Sequence, residues 1–192
     1  ISALDVAANA SQSAASTVLG FAFGAGGAAA MGIVNTFAAS TSAALDQGLI
    51  TAGRVGVTAD SRNGFHAQTG TAVGGAGIGI GGAFVVGTTR NETLATVGGG
   101  SGQTALNLNG GLAVAAVSRN AFTTVATGGA VAGVAGVAGM VSFVDVDNET
   151  RAGLYGAQVA IRPGATQTVG GVTGAAGVSV TASETTSITP KT

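Results

Sequence analysis

The chain has no cysteine and no tryptophan, two prolines, and only 8% charged and 4% aromatic residues among 192. Without cysteine there are no disulfides and no thiolate metal sites, and the redox compartment stays open. Seven basic and eight acidic residues give a net charge of −1. They are spread thinly, with no basic stripe for a polyanion, so no nucleic-acid partner is expected. The charged fraction is about a third of the usual ~25%. Disordered segments tend to be polar and strongly charged, so this scarcity argues for a folded chain. His66 is the only histidine, and no serine lies in a G-x-S-x-G frame. No nucleophile–base–orienter set can be assembled, so no enzyme activity and no cofactor are expected. Residue 1 is Ile, with no charged n-region or cleavage site before it. We expect a processed product or a piece of something longer.

What is abundant is glycine, at 35 residues, within a 46% hydrophobic composition rich in alanine and valine. These residues repeat. Ser61-Arg62-Asn63 returns as Ser118-Arg119-Asn120, and Asn91-Glu92-Thr93 as Asn148-Glu149-Thr150. The two pairs share one step, and Val57/Val114, Ala59/Ala116, Phe65/Phe122, Gly79/Gly136, Gly82/Gly139 and Ala95/Ala152 keep it. Upstream, Leu4, Val6, Ala8 and Ala10 align with Val55, Val57, Ala59 and Ser61. Downstream, Val178, Val180, Ala182 and Glu184 align with Leu112, Val114, Ala116 and Ser118. The chain reads as one array over residues 1–192, with repeat phases beginning near residues 4, 55, 112 and 178. A fixed period of this kind signals a repeat architecture.

Alanine favours helix, and Ala7–Leu19 fits one on propensity alone. The periodicity decides otherwise. Val55, Val57, Ala59 and Ser61 alternate with Gly56, Thr58 and Asp60, and Leu112–Ser118 and Val178–Glu184 do the same. A period of two is the strand signature. Thr104–Leu108 and Gln158–Ile161 read as further short strands, and Asn107–Gly111 and Arg162-Pro163-Gly164 as turns. The fold class expected is all-β: a parallel β-helix (β-solenoid) built from about three irregular repeats of 51–66 residues. Each repeat is expected to hold two or three coils of roughly 20 residues. About nine coils at ~4.8 Å spacing would make a rod roughly 45 Å long. Length variation is expected at one corner.

The order within a repeat is an alternating strand (Val55–Ser61), a polar turn (Arg62-Asn63), a Gly/Ala block (Gly74–Gly82), a short apolar strand (Phe84–Thr88), then Thr93–Val97. Gly32–Phe37 followed by Thr41-Ser42-Ala43 fits the same mould. This pattern resembles the repeats of very large bacterial surface proteins, the filamentous-haemagglutinin-like and leukotoxin-like filamentous adhesins. The resemblance implies a right-handed parallel β-helix, secreted and displayed on the bacterial cell surface. It also implies a non-catalytic structural fibre or adhesin shaft. The alternative is a self-assembling subunit whose separate chains stack head-to-tail. The partners expected are neighbouring repeats or solenoid ends, and a host or neighbouring-cell surface.

Arg62, Asn63, Arg119 and Asn120, with Asn91 and Asn148, are expected on exposed turns or corners, since Asn is common in turns. Asp145, Asp147 and Glu149 lie at i, i+2, i+4, a spacing that puts three hard oxygen ligands on one strand face. Their equivalents Thr88, Arg90 and Glu92 include an arginine, so a solvated edge is expected rather than a metal. Gly77–Gly82 satisfies G-x-G-x-x-G, but no helix is expected after it, as a dinucleotide site requires. Asn9, Asn91 and Asn148 each open an N-x-[ST] sequon. Thr69-Gly70-Thr71 and Thr166-Gln167-Thr168 do not recur in step, so no regular threonine face follows. The uncharged runs Asn63–Thr89 and Asn120–Val144 are long enough for a bilayer. They lack aromatic belts and basic flanks, so no membrane span is expected.

Overall fold

The computed structural model describes residues 1–169 and 172–192. Every regular element among the described residues is a strand. In order these are β1 (Ala3–Gly24), β2 (Gly27–Leu45), β3 (Gly48–Ala52), β4 (Arg54–Gly75), β5 (Ile78–Gly98), β6 (Thr104–Leu108), β7 (Leu112–Ala132), β8 (Ala135–Tyr155), β9 (Ala157–Ile161), β10 (Thr166–Val169), β11 (Val172–Ala175) and β12 (Val178–Lys191). They form three parallel sheets: β1-β4-β7-β12, β2-β5-β8 and β3-β6-β9. β10 and β11 make a separate antiparallel pair. The all-β expectation and the parallel pairing both hold, and Ala7–Leu19 is strand.

The pairing register follows the sequence repeat. Leu4 pairs with Val55, Val55 with Leu112, and Leu112 with Val178. Each repeat step therefore carries a strand to its immediate hydrogen-bonded neighbour. This corrects the expectation of two or three coils per repeat and a rod of nine. The strands are also far longer than foreseen. β4 has 22 residues, about 70 Å at ~3.3 Å per residue. The structure is a stack of long levels rather than a slim rod.

The long central strands run through the tripeptides because period two continues across them. Burial alternates through β4 from Val55 to Thr69 and through β7 from Leu112 to Ala126. Val73 packs toward Gly79, and the Phe65 ring lies over Gly87. So β4 and β5 run in opposite directions on facing sheets, joined at a tip around Ala76-Gly77. The short third sheet closes the far end. There, Val55, Val57, Ala59, Ala95, Val97, Leu106, Leu108, Leu112 and Val114 form one buried cluster. A second cluster, with Ile33, Phe65, Ala67, Val85, Phe122 and Ala126, lies further along. Phe37 and Phe65 stack at 5.5 Å between centroids, and Phe65 and Phe122 lie at 5.0 Å.

The short strands match their sequence signals. Thr104–Leu108 is β6, and the Arg162-Pro163-Gly164 turn closes with Ala165 N–H donating to Arg162 O at 3.1 Å. Gly164 has φ +77° there, a conformation that favours glycine. Length variation is not confined to one corner. It falls on both sides of the short sheet, in the 99–103 connection and in the segment carrying β10 and β11.

Candidate functional site

Between the two apolar clusters lies a polar seam made by the repeated tripeptides. Asn63, Asn91 and Asn120 are 7%, 2% and 3% exposed, and Asn148 is half-buried. This corrects the expectation that these four stand on exposed corners. They sit on continuous strands and point inward. The missed signal is parity: Asn63 is an even number of residues from Val55, and Asn91 from Ala95. The inward face of the strand therefore runs through each asparagine.

Buried amides need partners, and the register supplies acceptors for their N–H groups, while the Oδ1 atoms of Asn63 and Asn91 have no partner among the described residues. Asn63 Nδ2 donates to Ser61 Oγ at 2.8 Å and to Asn120 Oδ1 at 3.2 Å. Asn91 Nδ2 lies 2.9 Å from Thr89 Oγ1, 2.9 Å from Asn148 Oδ1 and 3.3 Å from Asn120 Oδ1. Asn120 Nδ2 donates to Ser118 Oγ at 3.0 Å and reaches Thr186 Oγ1 at 3.4 Å. Asn148 Nδ2 reaches Glu184 Oε1 at 3.0 Å and Thr186 Oγ1 at 3.2 Å. The seam thus has a direction: amide N–H groups of one level donate to acceptors of the next. It ends on Glu184, which occupies the position of Ser61 and Ser118.

Arg62 and Arg119 are exposed on the outside of the same sheet. Both bind Asp60: Arg62 Nη2 at 3.2 Å, and Arg119 Nη1 at 2.9 and 3.1 Å from its two oxygens. An open groove of about 540 Å³ runs past them, lined also by Gln12, Gly64, Ala121 and Thr185. A second, of similar volume, lies by Ser2, Arg54, Asn109 and Gln167. There Asp5 pairs with Arg54 at 3.4 Å.

Asp145 and Asp147 lie on the exposed side of β8, with Glu149 half-buried beside them. Asp147 accepts from Arg90 Nε at 3.1 Å, and Glu149 pairs with Arg151. Among the described residues, no group of three His, Cys, Asp or Glu converges to hold a metal. His66 is exposed on β4. Gly77–Gly82 runs from the tip into β5, a strand and not a helix. The sequon residues Asn91 and Asn148 are engaged in the seam, whereas Asn9 is exposed.

The uncharged runs are the tip-side halves of the levels. They descend one long strand, turn, and return on the facing one. Among the described residues, no helix is long and apolar enough to cross a membrane. The tip is apolar outside as well as inside. Phe21, Phe23, Ile78, Ile80, Phe84, Val137, Val141 and Phe143 are all more than 40% exposed. The Phe84 ring lies over Gly32, where a Cβ would meet it at about 2 Å. Exposed apolar area of this extent marks an interaction surface more often than a free one.

No protein-family model, curated protein or solved structure matches the chain.

Proposed function

We propose that the chain is a segment of a parallel β-solenoid in which each 51–66-residue repeat makes one turn. We further propose that it serves as a non-catalytic structural fibre or adhesin shaft, outside the bacterial cell. The observation that carries this reading is the seam. Equivalent residues of successive repeats stack directly, so every level templates the next and the array extends by addition of repeats. The seam amides donate to one another and to neighbouring hydroxyls, which favours a mechanical role over a chemical one. The adhesin-like order of the repeat supports the extracellular placement.

The test is labelling of intact, unpermeabilised source cells with antibody raised against the 192-residue chain. Label along surface filaments is the expected result, and label only after permeabilisation overturns the reading. A far-UV circular dichroism spectrum dominated by helix would remove its structural basis. In the second reading separate chains stack head-to-tail, which the shared repeat phase of Leu4, Val55, Leu112 and Val178 favours.

A further inference from the structure

The two long sheets present two outer faces, and these differ in charge. On β4 and β7 the outward residues include Arg54, Arg62 and Arg119 against the single acid Asp60. On β5 and β8 they include Glu92, Asp145, Asp147 and Glu149 against Arg90 and Arg151. One face is therefore basic and the other acidic, by two charges each. The contrast stands without β1 and β12. Each face is also divided along its length. The half nearer the tip is uncharged and apolar. It carries Leu19, Phe21 and Phe23 on the basic face, and Ile80, Phe84 and Val141 on the acidic one, all exposed. These side chains lie against the sheet. A Cβ at Gly70 would meet Leu19 at 3.0 Å, and one at Gly74 would meet Phe23 at 2.9 Å. The charges stand at one height on both faces, beside the seam. Arg119 precedes Asn120, and Asp147 precedes Asn148 on the opposite side.

We propose that the basic face of one chain docks on the acidic face of a second copy, sheet on sheet, with the tips pointing the same way. A shift perpendicular to the sheets relates the two copies. It sets arginines against carboxylates beside the seam, and apolar half against apolar half near the tip. The docked copy still offers its own acidic face, so the contact is heterologous and the stack stays open. The inference rests on the stacked levels and not on the extracellular placement. It adds side-to-side association to the growth of the array along its axis.

Charge and area select this occupant and this orientation. Basic face on basic face would bring rows of arginine together, and acidic on acidic would do the same for carboxylates. Like-charge juxtaposition of this kind suppresses a wrong pairing. A copy turned end for end would lay its apolar half on the charged half of the other. Only the basic-on-acidic contact with tips aligned matches both halves. A face about 70 Å long and three levels high, at ~4.8 Å per level, covers about 1,000 Å². A stable interface needs about 800 Å² per partner. Every further repeat in a longer array enlarges the face, so the docking strengthens with length.

The test exchanges the charges. The unmodified chain is expected to show, by light scattering, a mean mass above 17.9 kDa that rises from micromolar to millimolar concentration. A mass fixed at one or two chains overturns the proposal. Arg62→Glu with Arg119→Glu makes both outer faces acidic, and Asp145→Lys with Asp147→Lys makes both basic. Each variant alone is expected to stay at the mass of one chain with an unchanged strand spectrum. Their equimolar mixture is expected to associate again. Association of either variant alone, or a mixture that does not associate, overturns the proposal. If a variant unfolds, single cysteines in the otherwise native chain decide, since the chain has none of its own. His66→Cys lies on the basic face and Thr88→Cys on the acidic one. A thiol cross-linker of about 10 Å, the spacing of stacked sheets, is expected to join one variant to the other and neither to itself. Links within one variant, or none at all, overturn the proposal.

Discussion

Asn91 and Asn148, equivalent residues of adjacent repeats, are joined amide to amide, with Asn91 Nδ2 donating to Asn148 Oδ1 at 2.9 Å. The contact converts a sequence echo into a structural constraint. A slip of one residue would turn the asparagine outward and bring its neighbour into the core, since side chains alternate faces. The seam therefore fixes register where the apolar clusters on either side, made of similar Val, Ala and Phe, discriminate weakly.

Removing a seam amide is expected to cost far more than removing the arginine beside it. Asn120→Ala leaves buried partners without their bonds, a loss of about 1–3 kcal/mol per stranded group. Arg119→Ala breaks an exposed ion pair with Asp60, worth about 0–1 kcal/mol. Urea unfolding of the two variants checks this. Equal losses would show that the asparagine does not bear its burial.

Gly87 is expected to resist substitution. A Cβ there would meet the Phe65 ring at 2.1 Å, and overpacking of this kind costs about 1–3 kcal/mol. Gly87→Ala should lower the thermal midpoint. Pairing it with Phe65→Leu should recover part of the loss, because the ring is the obstacle. Gly129→Ala, where a Cβ meets nothing within 4 Å, is the control and should leave the midpoint nearly unchanged.

The tip should bind an apolar dye. Phe84→Ser with Phe143→Ser removes two exposed rings from adjacent strands, 44% and 56% exposed. Dye fluorescence is expected to fall while the strand spectrum persists. Unchanged fluorescence would place the dye elsewhere on the molecule.

Backbone amide exchange should follow level. β4 and β5 are paired on both edges and should exchange slowest. β12 is exposed throughout and should open first, as regions with few buried contacts do. Mass spectrometry of peptic fragments reads this directly.

The expected strands at Leu112–Ser118 and Thr104–Leu108 reappear in the structure because alternation and turn residues are local properties of the chain. So does the alignment of repeats, down to the one extra residue between β4 and β5 relative to β1 and β2. From sequence the long strands read as shorter ones, because asparagine commonly marks a turn. Here it continues the inward face instead. Parity with Val55 places Asn63 on the inward face only if the strand runs on unbroken, and the partner that satisfies it there lies 57 residues away.

By itself, the sequence determined the all-β class, the phase of the repeat and the identity of the stacking positions, since period and echo are written along the chain. Only the tertiary structure decided that one repeat makes one level and that the asparagines lie inside. These depend on which strand lies beside and across from which. That pairing between distant segments is set by satisfying buried amides and covering apolar faces at the same time.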